Sequence, residues 1–398
     1  MTAQTPAGSE GAGTCRLSVY LPSLSGGGVE RMTLNLLPEF REQGFEVTIV
    51  LDRCRGELVG QVPSWTRIVE LGASRTLTAL PRLAAYLRRE RPDVLLSSLG
   101  HNNVAALVAR ALARVPTRVI VRQHNFLSKE ATLNLDLRYR LLPLLYRLVL
   151  PFADGIVAVS RGVADDMAKA ARIDGRTIDV IYNPVVTRAV DELAGAGIAH
   201  PWLLDRATPC FLAIGRLVDQ KDYPTLLRAF SRVRERRACR LLVLGNGPLL
   251  GRLQTQAATL GIGGDVLFNG YQVNPYPFIR HAAALVLSSR YEGFGNVLVE
   301  ALACGTPAIS TDCPAGPSEI LEGGRYGRLT AVGDDAALAA AMDEVLASPP
   351  DHRLLREGAD RFRVETIGVV YAALLRRVQF ERKGWNRRVP TKPSRPLA

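Results

Sequence analysis

At 398 residues the chain is too long for one ordinary hydrophobic core, and it divides naturally into two domains of roughly 150 to 200 residues each. An apolar share of 47% with a charged share of 22% matches a folded protein and argues against a disordered chain, and apolar runs broken by arginine, such as LLPLLYRLVLPF, argue against a membrane-spanning helix. The net charge of +12 concentrates in residues 371–398, with eight Lys or Arg against one acid, and in residues 101–150, with eight against two, which suits phosphate-bearing partners or simple solubility.

The opening MTAQTPAGSEGAGTC has no basic region followed by an apolar one, so residues 1–14 read as a disordered leader and not as a secretion signal. Six scattered cysteines (Cys15, Cys54, Cys210, Cys239, Cys304 and Cys313) lack the spacing of a zinc site or a stapled scaffold, and they predict buried free thiols in a reducing cytosol. Next, short apolar runs (CRLSVYLPSL, EVTIVLD, RIVELG, DVLLSSL, RVIVRQH, GIVAVS, IDVIYNPV) alternate with helical patterns at 75–90, 101–114, 132–150 and 161–171. Pro38 falls in the helix after the first strand, where it predicts a kink or an early end. Periodicity is lost around 184–207. A second series follows (CFLAIGRL, CRLLVLGNG, VLFNG, ALVLSS, PAISTD, GRLTAV), with helices near 222–236, 248–260, 274–284, 296–304 and 335–347. Runs without polar alternation mark strands buried on both faces, and strand–helix alternation predicts parallel sheets. The fold class is therefore α/β, with two doubly wound, Rossmann-like domains at 15–187 and 208–364, a linker at 188–207, and a last helix with a basic tail at 365–398. In such sheets ligands sit beyond the carboxyl ends of the strands, so two facing domains put a ligand in the cleft between them.

Three stretches carry chemistry. In LPSLSGGGVERM a strand ends near Leu24 and a helix begins near Val29; Gly26, Gly27 and Gly28 let amides approach a phosphate closely, and the helix start adds partial positive charge. The pattern is neither G-x-G-x-x-G nor a Walker A loop, which leaves an anion site or a flexible turn. In AIGRLVDQKDYPTLLRAF, Arg216 follows a strand end and Lys221 precedes a helix, as two cations able to offset a diphosphate or as two solvated surface charges. In SSRYEGFGNVLVEALACGTPAIS, Glu292 lies in a turn ahead of a helix closed by Gly305 and Pro307, and Glu300 lies about a turn into it. Eight helical residues span about 12 Å, too far for the two carboxylates to act together on one bond. Glu292, beside the amides of Phe294, Gly295 and Asn296, can accept hydrogen bonds from sugar hydroxyls, and Glu300 can chelate a vicinal diol such as ribose. The alternative is a helix with merely solvated glutamates, which the apolar neighbours of Glu300 make less expected.

Taken with GNGP and DCPAGPSEIL, these motifs resemble the retaining glycosyltransferases of family 4 over about residues 15–380. The resemblance implies the GT-B architecture, two Rossmann-like domains with a cleft between them and a C-terminal helix crossing back, the first domain binding acceptor and the second the nucleotide sugar. It further implies that Arg216 and Lys221 hold the donor diphosphate and Glu300 the nucleotide ribose. Glu292 would contact the transferred sugar, supported by Phe294, Gly295 and Asn296, with Gly27 and Gly28 at the phosphates and Asn246 and Val297 also lining the substrate site. His124 of VRQHNF matches the active-site histidine at the reaction centre. No cofactor and no metal are implied; no Asp-x-Asp occurs, and cationic side chains with helix amides can stabilise the leaving diphosphate. Retention then implies attack by the acceptor hydroxyl on the face from which the leaving group departs, a phosphate oxygen taking the proton.

DCPAGPSEIL and NPYPFIRHA look most like bacterial enzymes that build surface polysaccharides or lipid-linked oligosaccharides from UDP-sugars, with galactose, glucose and their N-acetyl forms open. LRYRLLPLLYRLVLPF combines leucines with Arg138, Arg140 and Arg147. It points to a polyprenyl-linked saccharide acceptor at an anionic membrane surface on the cytoplasmic side, or to a buried helix with a solvated basic edge. A sugar-nucleotide epimerase of the same architecture is the competing enzyme class, a basic nucleic-acid-binding protein comes after it, and a noncatalytic sugar-nucleotide-binding module comes last. A nucleic-acid partner is disfavoured by the lack of a binding motif and by an aromatic share of 6%.

Overall fold

The computed structural model describes residues 14–73, 76–133 and 136–380. Most of the leader, the tail beyond residue 380 and the side chain of Arg138 lie outside the described residues. The first series of apolar runs forms β1 (Cys15–Leu21), β2 (Phe45–Leu51), β3 (Arg67–Glu70), β4 (Val94–Ser98), β5 (Arg118–Gln123), β6 (Gly155–Ala158) and β7 (Ile178–Val180). All pair in parallel, in the order β3-β2-β1-β4-β5-β6-β7. Between them run α1 (Gly28–Glu42), α2 (Thr76–Glu90), α3 (Gly100–Ala113), α4 (Leu127–Leu133), α5 (Leu137–Val149) and α6 (Arg161–Ala171).

After α7 (Val190–Gly195) and α8 (Pro201–Leu204), the second series repeats the plan: β8 (Cys210–Ile214), α9 (Tyr223–Arg234), β9 (Arg240–Leu244), α10 (Leu250–Thr259), β10 (Val266–Phe268), α11 (Tyr276–His281), β11 (Ala284–Leu287), α12 (Asn296–Ala303), β12 (Ala308–Thr311), α13 (Pro317–Ile320), β13 (Arg328–Thr330) and α14 (Asp335–Ala347). Its strands are parallel in the order β10-β9-β8-β11-β12-β13. In each sheet the order reverses beside the first strand, at β1/β4 and β8/β11, and the crevice outside such a reversal is where ligands bind. The two crevices face each other, in the architecture that the resemblance implies.

The chain passes between the domains twice, side by side. The amides of Val185 and Val186 both donate to the Phe362 carbonyl at 3.1 Å, and that of Val364 returns to Val186 at 3.0 Å. The stretch read as a linker holds α7 and α8 and rests on the second domain, with Asn274 Nδ2 donating to the Leu193 carbonyl at 3.0 Å. The last helix, α16 (Val364–Phe380), crosses back over the first domain and buries Ile367, Tyr371, Leu374, Leu375 and Val378 in the core that contains β1 and β2. Each such side chain stabilises the crossing by roughly 1.5–3 kcal/mol.

Three expectations need correction. Pro38 does not end α1, which runs on to Glu42, because Leu36, Leu37 and Phe40 are fully buried around it and their packing outweighs one missing amide bond. A further helix, α15 (His352–Asp360), forms where no element was expected, started by Asp351, whose carboxylate accepts from the Arg353 amide. Cys54 is exposed in the loop after β2, while the other five thiols are buried as read.

Candidate active site

Two contiguous cavities, of about 440 and about 370 Å³, occupy the cleft, and they share Gly28, Arg216 and Asn296 on their walls. Every residue expected at the donor site or reaction centre borders one of them. The larger is lined by Gly27, Gly28, Asn246, Val297 and Glu300 with Arg216; the smaller by His124, Lys221, Glu292, Phe294, Gly295 and Asn296. Local structure explains the convergence. Arg216 and Lys221 stand just beyond β8, Asn246 just beyond β9, and the loop after β11 runs through Glu292 into α12. Gly295 takes φ +102°, which a side chain rarely adopts, and this bend presents the first-turn amides of α12 to the cleft.

Lys221 and Glu292, predicted to serve the phosphates and the sugar separately, are in contact: the Nζ to Oε1 distance is 2.5 Å, and Ser289 Oγ donates to the same oxygen at 2.5 Å. Thr311 Oγ1 in turn donates to the Ser289 carbonyl at 2.6 Å, so the carboxylate is held from β12 as well. Glu300 stands apart from this pair. Burial raises its carboxyl above the ordinary range, and the nearby Arg31 guanidinium opposes the rise. His124 also has its charged form disfavoured: burial first, then the positive charge of Arg122, holds its pKa well below the ordinary value of 6.5. Its Nε2 has no hydrogen-bond partner among the described residues. Arg122 itself is fully buried under α16, bonded to Ser98 and Thr33 at 3.1 and 2.5 Å.

The domains touch across the cleft. Ser160 Oγ donates to the Gly293 carbonyl at 2.8 Å, and Asn183 Nδ2 donates to Asn296 Oδ1 at 2.9 Å. Glu319 accepts from the Arg161 and Gly162 amides at the start of α6, at 3.0 and 3.3 Å. Gly293 passes so close to the His124 carbonyl that a Cβ would lie 1.8 Å from it. Sequence reasoning missed Arg31, Glu130 and Asn183, which border the same cavities. Arg31 follows the glycine loop directly in GGGVERM and was findable from that neighbourhood; nothing local marks the other two. No group of three or more His, Cys, Asp or Glu suited to a metal ion occurs among the described residues.

Comparison with known proteins adds to this geometry. Residues 26–189 match the family described as Glycosyltransferase Family 4, and residues 200–362 match that described as Glycosyl transferases group 1. The N-acetylgalactosamine-N,N'-diacetylbacillosaminyl-diphospho-undecaprenol 4-alpha-N-acetylgalactosaminyltransferase of Campylobacter jejuni is 26% identical over 83% of this chain and 90% of its own. The lipopolysaccharide core biosynthesis glycosyltransferase LpsE of Rhizobium meliloti is 28% identical over 86% of this chain and 91% of its own. Among solved structures, HepE of Anabaena in complex with UDP and glucose superposes with a TM-score of 0.74 at 19% identity, covering 91% of this chain and 99% of that one.

Proposed function

Since the chain belongs to the glycosyl transferases of group 1, with a family 4 first domain, and is a glycosyltransferase of the surface-glycan type, we propose that it moves a hexose or N-acetylhexosamine from a UDP-sugar to a polyprenyl-linked saccharide, with retention of anomeric configuration. One observation carries the reading: two cations, a glycine-rich loop with a helix start, and two carboxylates line one cleft between facing sheets. Arg216, Lys221 and the first amides of α12 take the diphosphate, where leaving-group charge grows as the anomeric C–O bond breaks. Glu300 takes the ribose diol and Glu292 the sugar hydroxyls. The acceptor oxygen bonds to the anomeric carbon on the face being vacated, and its proton passes to the leaving phosphate oxygen. His124, kept neutral, lines the reaction centre as a hydrogen-bonding and not a charged group.

The acceptor class rests on α5. Leu137, Leu141, Leu144 and Leu148 recur every three or four residues on its outer face, and all are exposed, while Leu142 and Tyr146 on the inner face are buried. Exposed Phe152 continues the stripe, and exposed Arg140 and Arg147 border it. No helix of the described residues is long and apolar enough to cross a membrane, and this face suits a peripheral contact with anionic lipid. A screen of UDP-sugars with purified protein and bacterial lipid extract tests the reading by UDP release and by sugar incorporated into lipid. Release with no incorporation, or interconversion of the UDP-sugar alone, overturns it, and failure to sediment with anionic vesicles at low salt removes the membrane contact.

A further inference from the structure

Opposite the cations, the smaller cavity is closed by the first domain: Leu99 after β4, Gln123 at the end of β5 with His124 and Asn125 just beyond it, and Glu130 on α4. We infer that Glu130 is the residue of this wall that binds a hydroxyl of the acceptor sugar. This rests on the glycosyl-transfer reading above, which puts the donor on the second domain and the acceptor on the first.

The argument starts from how Glu130 is held. Asn103 Nδ2 donates to the Tyr146 hydroxyl at 2.9 Å, and that hydroxyl donates to Gln123 Oε1 at 2.7 Å. The Gln123 amide, fixed on its other side to the Asn125 carbonyl at 2.9 Å, hydrogen-bonds the Glu130 carboxyl. Asn103, Tyr146 and Gln123 are all buried, so three elements, α3, α5 and β5, commit polar side chains to the interior in a chain that reaches one carboxyl at the cavity wall. Buried polar chains of this kind fix the orientation of what they hold. The carboxyl lies over the start of α3, where a Cβ on Gly100 would come 3.3 Å from its Oε2.

Holding it there is costly. Burial pushes the Glu130 carboxyl up to about 7, with Gln123 working against the rise and Asp166 of α6 adding to it. The phenols of Tyr146 and, across the cleft, Tyr291 also feel its charge, and Lys129 beside it stacks on the Tyr291 ring. What only a carboxylate supplies is two strong acceptor oxygens, and the groups that match them on an uncharged saccharide are hydroxyls.

The test is Glu130→Gln, of equal shape, with Glu130→Ala as the larger change, in full-length protein. UDP release from the UDP-sugar selected by the screen is measured while UDP-sugar and detergent-dispersed bacterial lipid extract are varied in turn. Expected for Glu130→Gln is a rise of at least tenfold in the half-saturating amount of extract with less than a twofold change for the UDP-sugar, a larger rise for Glu130→Ala, and a thermal midpoint at pH 8 no lower than wild type, because the glutamine removes a destabilising buried charge. Parallel rises in both half-saturations, or no change in either, overturn the assignment. A wild-type protein that shows no extract-dependent release removes the functional reading and this inference with it.

Discussion

The contact between Lys221 and Glu292 permits a prediction that separates architecture from function. Lys221→Met keeps most of the side-chain length and removes the charge. Without donor, it leaves Glu292 in a nearly closed site with Ser289 as its hydroxyl partner. Breaking a buried ion pair costs about 3–5 kcal/mol. Here the Lys221 side chain is 18% exposed, so the low end applies, about 3 kcal/mol, which corresponds to a fall of about 6–12 °C in the midpoint of a domain this size. With donor, one charge-assisted hydrogen bond to the diphosphate is lost, roughly 1.5–3 kcal/mol, or one to two decades in donor half-saturation. Adding Glu292→Gln removes the orphaned charge, so the double variant regains most of the midpoint while its donor affinity stays low. Calorimetry reads the first quantity and UDP release against UDP-sugar concentration the second. A double variant that unfolds no higher than Lys221→Met, or a single variant with normal donor half-saturation, refutes the reasoning.

Further outcomes follow from the same geometry. Arg216→Ala raises donor half-saturation by about one to two decades through the same lost hydrogen bonding, but it leaves the thermal midpoint within about 1 °C because Arg216 is exposed. His124 has a folded-state pKa depressed below its unfolded value of 6.5, so the unfolded chain binds more protons and stability falls as pH drops through 6.5. His124→Asn flattens that acid limb in calorimetry, and an unchanged limb refutes the assignment. Gly293→Ala puts a Cβ 1.8 Å from the His124 carbonyl of the opposite domain, which forces the cleft apart. Transfer falls at least tenfold with both domain cores intact by thermal unfolding, and wild-type rates sink the close-approach argument.

What could be read from sequence follows from what each element needs. A strand buried on both faces shows a continuous apolar run, so VLL of β4 and FLAI of β8 declare themselves, and the second-domain loops inherit their place from the strand ends. The same strand ends carried Arg216, Lys221, Asn246 and Glu292 to one crevice. Where packing competes with propensity the reading failed: Pro38 breaks helices in isolation but not one with Leu36, Leu37 and Phe40 seated in a core. α15 was missed because it is only nine residues long, although Leu355, Gly358 and Ala359 recur at helical spacing on one buried face. Glu130 and Asn183 were invisible for a different reason. Their positions depend on which strands are neighbours and on the two domains facing each other, which no local window contains.

The contact between Lys221 and Glu292 also bears on how the proposed donor would be recognised. A lysine aimed at an empty phosphate site and a glutamate aimed at an empty sugar site would each be a desolvated charge without a partner, and a few kcal/mol apiece is a large share of a stability of about 5–15 kcal/mol. Paired at 2.5 Å they neutralise each other until the donor arrives. A diphosphate offers Lys221 two negative charges in place of one, and as the ammonium turns to it Glu292 is left with Ser289 and with lone pairs that hydroxyls of the adjoining sugar can fill. On this reading, phosphate binding and sugar binding are coupled through one ion pair. UDP alone then pays the cost of uncovering Glu292 without the compensating hydroxyl bonds, and Glu292→Gln, which never forms the pair, binds UDP at least as tightly as wild type in titration calorimetry while losing its preference for UDP-sugar over UDP. A Glu292→Gln variant that keeps that preference unchanged breaks the coupling.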